Sequence, residues 1–265
     1  MNKKIAIIGG GNLGRAIAEG LIQSGFVMPK HILVTRRNLQ HLHELERKGV
    51  LVSDKNEEAV KYADLVILAV KPFQVDDVLS ALKKDFHEER HVLVSVVTGI
   101  GIDHISNIIS KKVPIVRAMP NTAIAIQESM TCLAARHISE DQFQYVQDIF
   151  NQLGRTVRID EKLMDAATVL GACGTAFAMR YIRANIQGGI EIGFDAATAS
   201  LIAAQTVKGA SELLLKKDSH PEQEIDKVTT PKGCTIAGLN EMEHRGFSSS
   251  LIKGVVASYD KIAKE

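Results

Sequence analysis

The sequence predicts an α/β chain in two parts: a doubly wound parallel sheet over residues 1–160, then an all-α half over 161–265. Two patterns carry this reading. In the first part, short unbroken Val/Ile/Leu runs alternate with amphipathic stretches. Strands that are apolar on both faces belong to a parallel sheet covered by helices on both sides. From Met164 the strand pattern stops, and long Ala-rich stretches, apolar around much of their circumference, replace it.

The elements follow in order. "KIAIIGG" reads as a strand and "NLGRAIAEGLIQSG" as a helix ended by Gly25. "HILVTRR" is a strand, followed by a helix over "NLQHLHELERKG" that stops at Gly49. "VLVS", the short helix "NEEAVKYA" and the strong strand "DLVILAVKP" come next. A helix over "FQVDDVLSALKKD" precedes the strand "HVLVSVVTGI", and a helix near "IDHISNIISKK" leads to "PIVRAMPN". "MTCLAA" and "GRTVRID" read as edge strands. Beyond them, "LMDAATVLGACGTAFAMRYIRANIQGGIEIGF" and "DAATASLIAAQTVKGASELLLKK" are helices that must be covered on several sides. About 100 residues offer few places to bury that surface, so this half is expected to form a homodimer with its like, the other solution being a compact monomeric bundle.

Composition excludes several classes. Hydrophobic residues make up 45%, charged residues 24%, and the formal net charge is +1, so nothing favours nucleic acid or an anionic membrane as partner. Any anion-binding function must therefore be local. Cys132, Cys173 and Cys234 are widely spaced, which fits reduced thiols rather than a disulfide framework, and Cys173 and Cys234 among small residues read as packing thiols. The apolar run of "MNKKIAIIGGG" is too short for a signal peptide or a span, and Arg180 and Arg183 make the first long helix a poor span. A cytoplasmic protein is expected.

The first chemical motif is "IAIIGGGNLG", with Gly9, Gly11 and Gly14 in the spacing G-x-G-x-x-G between a strand and a helix. The first glycine permits the tight turn, the second lets a pyrophosphate approach the backbone, and the third lets helix and strand pack closely. The helix N-terminus at Asn12 and Leu13 adds free N–H groups and positive dipole. This is the signature of a Rossmann-type dinucleotide site. An acid at the end of the second strand would bond the adenosine ribose and repel a 2′-phosphate. Here Thr35, Arg36 and Arg37 stand in that place, which points to NADP, with NADPH preferred over NADH; the plain alternative is that the arginines begin a solvated helix face. Asn56 could cap the next helix or reach the adenosine ribose. Ala69, Val70, Lys71 and Pro72, and Thr98 and Gly99 after Val97, end two further strands, where a doubly wound sheet holds its ligand. His41 and His43 are two apart and share no helix face, so no metal site is expected.

In order and spacing, "IIGGGNLGRAIAEGL", "DLVILAVKP", "VRAMPNT", "GACGTAFAMRYIRA", "AAQTVKGASELL" and "VTTPKGCTIAGL" resemble the pyrroline-5-carboxylate reductase family over nearly the whole length. The resemblance implies hydride transfer from a reduced nicotinamide to the cyclic imine 1-pyrroline-5-carboxylate, giving L-proline. It also implies a helical C-terminal domain interlocked with a partner subunit. The "TPKGCT" loop would then take the small imine substrate. Thr230 and the backbone around Lys232, Gly233 and Cys234 would hold its carboxylate, and Thr235, matching the family's functional threonine, would bond the ring nitrogen. Thr235 could also serve as a helix N-cap.

The chain departs from the family in three places. Gly171 to Ala176 replace a Ser-Gly-Ser-Gly-Pro-Ala run, Thr230 to Gly233 replace Ser-Pro-Gly-Gly, and Ala123 stands where a proline follows "PNT". Two other readings share the front half. A carbonyl-reducing β-hydroxyacid-type dehydrogenase would need a proton donor, for which Lys208 is the nearest candidate. A catalytically silent NADP(H)-binding sensor would have no use for the Thr235 loop.

Overall fold

The computed structural model describes residues 3–262. Its strands are β1 (Ile5–Ile8), β2 (Ile32–Thr35), β3 (Leu51–Ser53), β4 (Leu65–Leu68), β5 (Val92–Ser95), β6 (Ile115–Met119), β7 (Ser129–Arg136) and β8 (Gly154–Arg158). Its helices are α1 (Asn12–Gln23), α2 (His43–Arg47), α3 (Asn56–Tyr62), α4 (Val75–Leu82), α5 (Ile102–Ile109), α6 (Glu140–Asn151), α7 (Met164–Ala167), α8 (Gly174–Glu191), α9 (Ala196–Lys217), α10 (Pro221–Lys227), α11 (Cys234–His244) and α12 (Phe247–Ile262).

The eight strands form one sheet in the order β3-β2-β1-β4-β5-β6-β7-β8, parallel from β3 through β6. The chain leaves β1 toward one side and returns at β4 on the other. That reversal opens a crevice at the carboxyl ends of β1 and β4, where this topology binds ligands. Alternate residues feed two cores. Ile5, Ile7, Val34, Ile67 and Val94 meet α1 and α6, while Ala6, Ile8, Val66, Leu68 and Leu93 meet α3, α4 and α5.

Two expectations need correction. "MTCLAA" is not an edge: β7 lies between β6, to which it is antiparallel, and β8, with Thr131 and Leu133 fully buried. The covering helix α6 is an element the sequence reading lacks. Its signals are a capping box, in which Ser139 Oγ accepts from Gln142 N and Gln142 Oε1 accepts from Ser139 N, and the buried spacing Phe143, Val146, Ile149, Phe150. The helix expected over 38–49 is broken, with a tight 3₁₀ turn at Leu39–Leu42 preceding a short α2. Asn38 Oδ1 accepts from Gln40 N at 3.0 Å and starts that turn.

His91 is fully buried at the foot of β5, edge-on to Phe86, and its Nδ1 accepts the backbone N–H of His87 at 2.9 Å. Burial, together with the neighbouring Arg90 and His87, holds its pKa below the ordinary 6.5. The folded state thus binds fewer protons than the unfolded chain once the pH drops below 6.5, so stability falls there. The midpoint of thermal unfolding should decline from pH 7 toward pH 5, and His91→Phe should remove part of that decline. An unchanged pH dependence in His91→Phe would show that His91 is not its source.

The chain divides into two compact units, Met1–Ala172 and Cys173–Glu265. In the first, α7 sets Met164 against Met119, Cys132 and Ala134, and Thr168 begins a π-helical segment, Thr168–Cys173, by bonding back to Met164 O at 2.8 Å. The single long helix expected across this region is therefore α7, the π segment and α8. In the second unit, α8 and α9 meet through small residues: a Cβ on Gly189 would stand 3.1 Å from that of Ala199. Ala199 and Ala203 are buried, while Met179, Ile192, Leu201, Leu215, Ile252 and Val256 remain exposed. Among the described residues no helix is long and apolar enough to cross a membrane.

Candidate functional site

A cavity of about 740 Å³ opens at the carboxyl ends of β1, β2, β4 and β5. Its wall contains Gly9, Gly11, Asn12, Leu13, Thr35, Arg36, Arg37, Asn56, Ala69, Val70, Lys71, Pro72 and Thr98. Gly10, Asn38, His41, Gln74, Val78 and Val96, which the sequence reading did not place in the site, also line it. Gly14 and Gly99 do not reach the wall. Gly14 lies beneath the glycine turn, and Gly99 follows Thr98 with φ +78°.

The glycine loop has a steric reason at Gly9 and Gly14. A Cβ on Gly9, whose φ is +107°, would fall 2.5 Å from Ala69 O, and one on Gly14 would fall 2.2 Å from Gly9 O. One on Gly11 would meet nothing within 4 Å, so its backbone faces open space. The N-cap of α1 is Gly11, with no side-chain cap, which leaves the first N–H groups of the helix for an anion.

Beyond the loop, Gly9 N and Gly10 N both donate to Thr35 O, tying β1 to β2. Arg36 Nη1 donates to Gly10 O at 2.7 Å, and the Thr35 hydroxyl donates to Asn56 Oδ1 at 2.6 Å. Asn56 is thus not the helix cap that the sequence allowed. Lys55 holds that position, and Asn56 lines the cleft. No acid closes the end of β2, so glycine turn, uncapped helix and arginine pair together fit a phosphorylated dinucleotide.

The "VTTPKGCT" segment lies in the second unit. Gly233 N donates to Thr230 O at 2.9 Å, closing a turn in which Lys232 takes φ +61°. A Cβ on Gly233 would meet Thr230 Oγ1 at 2.5 Å. Gly233 is the N-cap of α11, again without a side-chain cap, so Thr235 is not the cap but lies in the first turn beside the open N–H groups. Cys234 is exposed rather than packed, because it begins that turn; Cys173 is half-buried. A non-glycine residue at positive φ costs on the order of 1–2 kcal/mol. Lys232→Gly should therefore raise unfolding stability by about 1 kcal/mol, measured by denaturant titration; no gain would mean that the lysine is relaxed there.

The third departure also has a local account. Asn121 Oδ1 accepts the N–H of Ala123 at 3.0 Å, a donor that proline would lack, and Asn121 Nδ2 donates to Gly171 O in the π segment. His43 faces Glu46 at 3.2 Å while His41 lies on the cleft. Among the described residues no cluster of His, Cys, Asp or Glu could hold a metal.

Doubly wound sheet, glycine cradle and arginine pair define a dinucleotide-binding protein of the nicotinamide class. Residues 4–99 match the family described as NADP oxidoreductase coenzyme F420-dependent, and residues 161–265 match that described as Pyrroline-5-carboxylate reductase dimerisation. Pyrroline-5-carboxylate reductase 1 of Dictyostelium discoideum is 49% identical over 98% of this chain, which spans about half (49%) of that relative's length. Pyrroline-5-carboxylate reductase 2 of the same organism is 45% identical over 99% of this chain and 93% of its own. The crystal structure of Plasmodium falciparum pyrroline carboxylate reductase with NADP bound superposes with a TM-score of 0.87 at 27% identity, covering 98% of this chain and 97% of that one. The chain belongs to the pyrroline-5-carboxylate reductase family.

Proposed function

We propose that this protein reduces 1-pyrroline-5-carboxylate to L-proline with NADPH. The observation that carries the reading is the uncapped α11 N-terminus with Thr235 in its first turn, in a chain whose other unit holds a dinucleotide cleft. The first-turn N–H groups of α1 hold the pyrophosphate, and Arg36 and Arg37 hold the 2′-phosphate. Bound NADPH supplies the hydride that adds to the C=N carbon. The C=N bond is already electrophilic, and no alkoxide forms, so the protein needs no acid–base pair. The amides around Gly233 and Cys234, with Thr230, bind the substrate carboxylate. The Thr235 hydroxyl accepts the N–H of the protonated imine and fixes the ring for in-line attack. Lys232 adds a cation in the same turn.

The exposed apolar faces of α8, α9 and α12 support a homodimer formed through this half, since a lone unit would leave them in water. Three free thiols support a reducing compartment, the cytoplasm.

With NADPH deuterated at the reactive nicotinamide C4 position, one deuterium should arrive at C5 of proline. Thr235→Ala should slow that transfer roughly ten- to a hundredfold while NADPH still binds. Proline without the label would sink the hydride route, and equal loss of turnover and NADPH affinity would sink the role of Thr235.

A further inference from the structure

We propose that His41 is a third ligand of the 2′-phosphate and strengthens the preference for NADPH over NADH. The inference rests on the NADPH reading above. His41 shares the wall of the cleft with Arg36, Arg37 and Asn38. Its place there is set by three contacts. Asn38 Oδ1 starts the Leu39–Leu42 turn by accepting from Gln40 N. Leu42, fully buried, then anchors the turn against the glycine loop, so closely that a Cβ on Gly10 would meet its Cδ2 at 2.7 Å. Arg36, bonded to Gly10 O, ties the same loop to the end of β2. The exposed imidazole beside Leu42 is thus carried by a braced turn rather than a loose loop.

The arginine pair alone leaves room for a further donor. One nitrogen of Arg36 is committed to Gly10 O, and Arg37 also borders a neighbouring cavity between α3 and α4. The three terminal oxygens of a phosphate accept hydrogen bonds from several directions at once. An imidazole N–H on the braced turn gives one more donor. The other charges around the turn are occupied: Glu44 pairs with Arg15 and Glu46 with His43, with Arg47 at the far end of α2, and β3 carries no charged side chain. Arg36, Arg37 and Lys71 are therefore the charges that share the cleft with His41.

The test is the ratio of the dissociation constant for NADPH to that for NADH, read from nicotinamide fluorescence on titration, in wild type, His41→Ala and His41→Lys. His41→Ala should raise the ratio roughly three- to tenfold. His41→Lys, which restores a donor at that place, should keep the ratio near the wild-type value. A wild type that prefers NADPH, with a ratio that His41→Ala does not move, overturns this inference and leaves the cofactor reading standing. Failure of His41→Lys to keep the selectivity also overturns it. A wild type with no preference for NADPH overturns both.

Discussion

Gly14→Ala should cost both stability and NADPH affinity. The added Cβ would lie 2.2 Å from Gly9 O and 3.1 Å from Ile7 Cγ2. The first of these neighbours is backbone and cannot rotate away, so α1 must move off β1. Overpacking of this kind costs roughly 1–3 kcal/mol. The displacement also swings the first-turn N–H groups away from the pyrophosphate. Unfolding in denaturant should shift to lower concentration, and NADPH affinity should fall at least about tenfold. Wild-type stability with wild-type NADPH affinity would mean that helix and strand have slack the structure does not show.

The arginine pair gives the second large effect. A charge-assisted hydrogen bond is worth about 1.5–3 kcal/mol, so Arg36→Ala with Arg37→Ala should raise the Michaelis constant for NADPH on the order of ten- to a hundredfold. The two single variants should differ in kind. Arg36 also donates to Gly10 O, so Arg36→Ala loosens the glycine loop and affects NADH as well. Arg37 is exposed and has no such tie, so Arg37→Ala should act on NADPH alone. If both cofactors suffer alike in Arg37→Ala, the 2′-phosphate is held elsewhere.

What could be read from the chain divides by the range of the interactions. The alternation of β1, α1, β2 and β4 is local, because each strand carries its own Val/Ile/Leu run and the glycine triplet fixes the turn between the first two elements. The parallel, doubly wound arrangement follows from strands that are apolar on both faces. The helix α6 had a readable start in Ser139-x-x-Gln142, but it lies between two strands and its outer face is polar, so its apolar stripe was easy to pass over. Burial of β7 depends on α6 and β8 coming back to cover it, which no local pattern records. His41 escaped notice as a cleft residue because its position depends on Leu42 packing beside Gly10, a contact between segments some thirty residues apart. The positive φ of Lys232 was hidden for a related reason. Lysine gives no hint of the left-handed region that the family's glycine at that place would. The π segment likewise arises from the Thr168 back-bond, with Asn121 holding Gly171 O, neither of which a helical repeat predicts.

Turnover of a cyclic imine with NADPH can be measured directly. The most direct test follows absorbance at the reduced-nicotinamide band with purified protein, NADPH and 1-pyrroline-5-carboxylate, with proline quantified and NADH run in parallel. One proline should form for each NADPH consumed, with a lower Michaelis constant for NADPH than for NADH. Tight NADPH binding with neither absorbance loss nor proline would contradict it, and would leave a protein that keeps the cofactor cleft but does no imine chemistry.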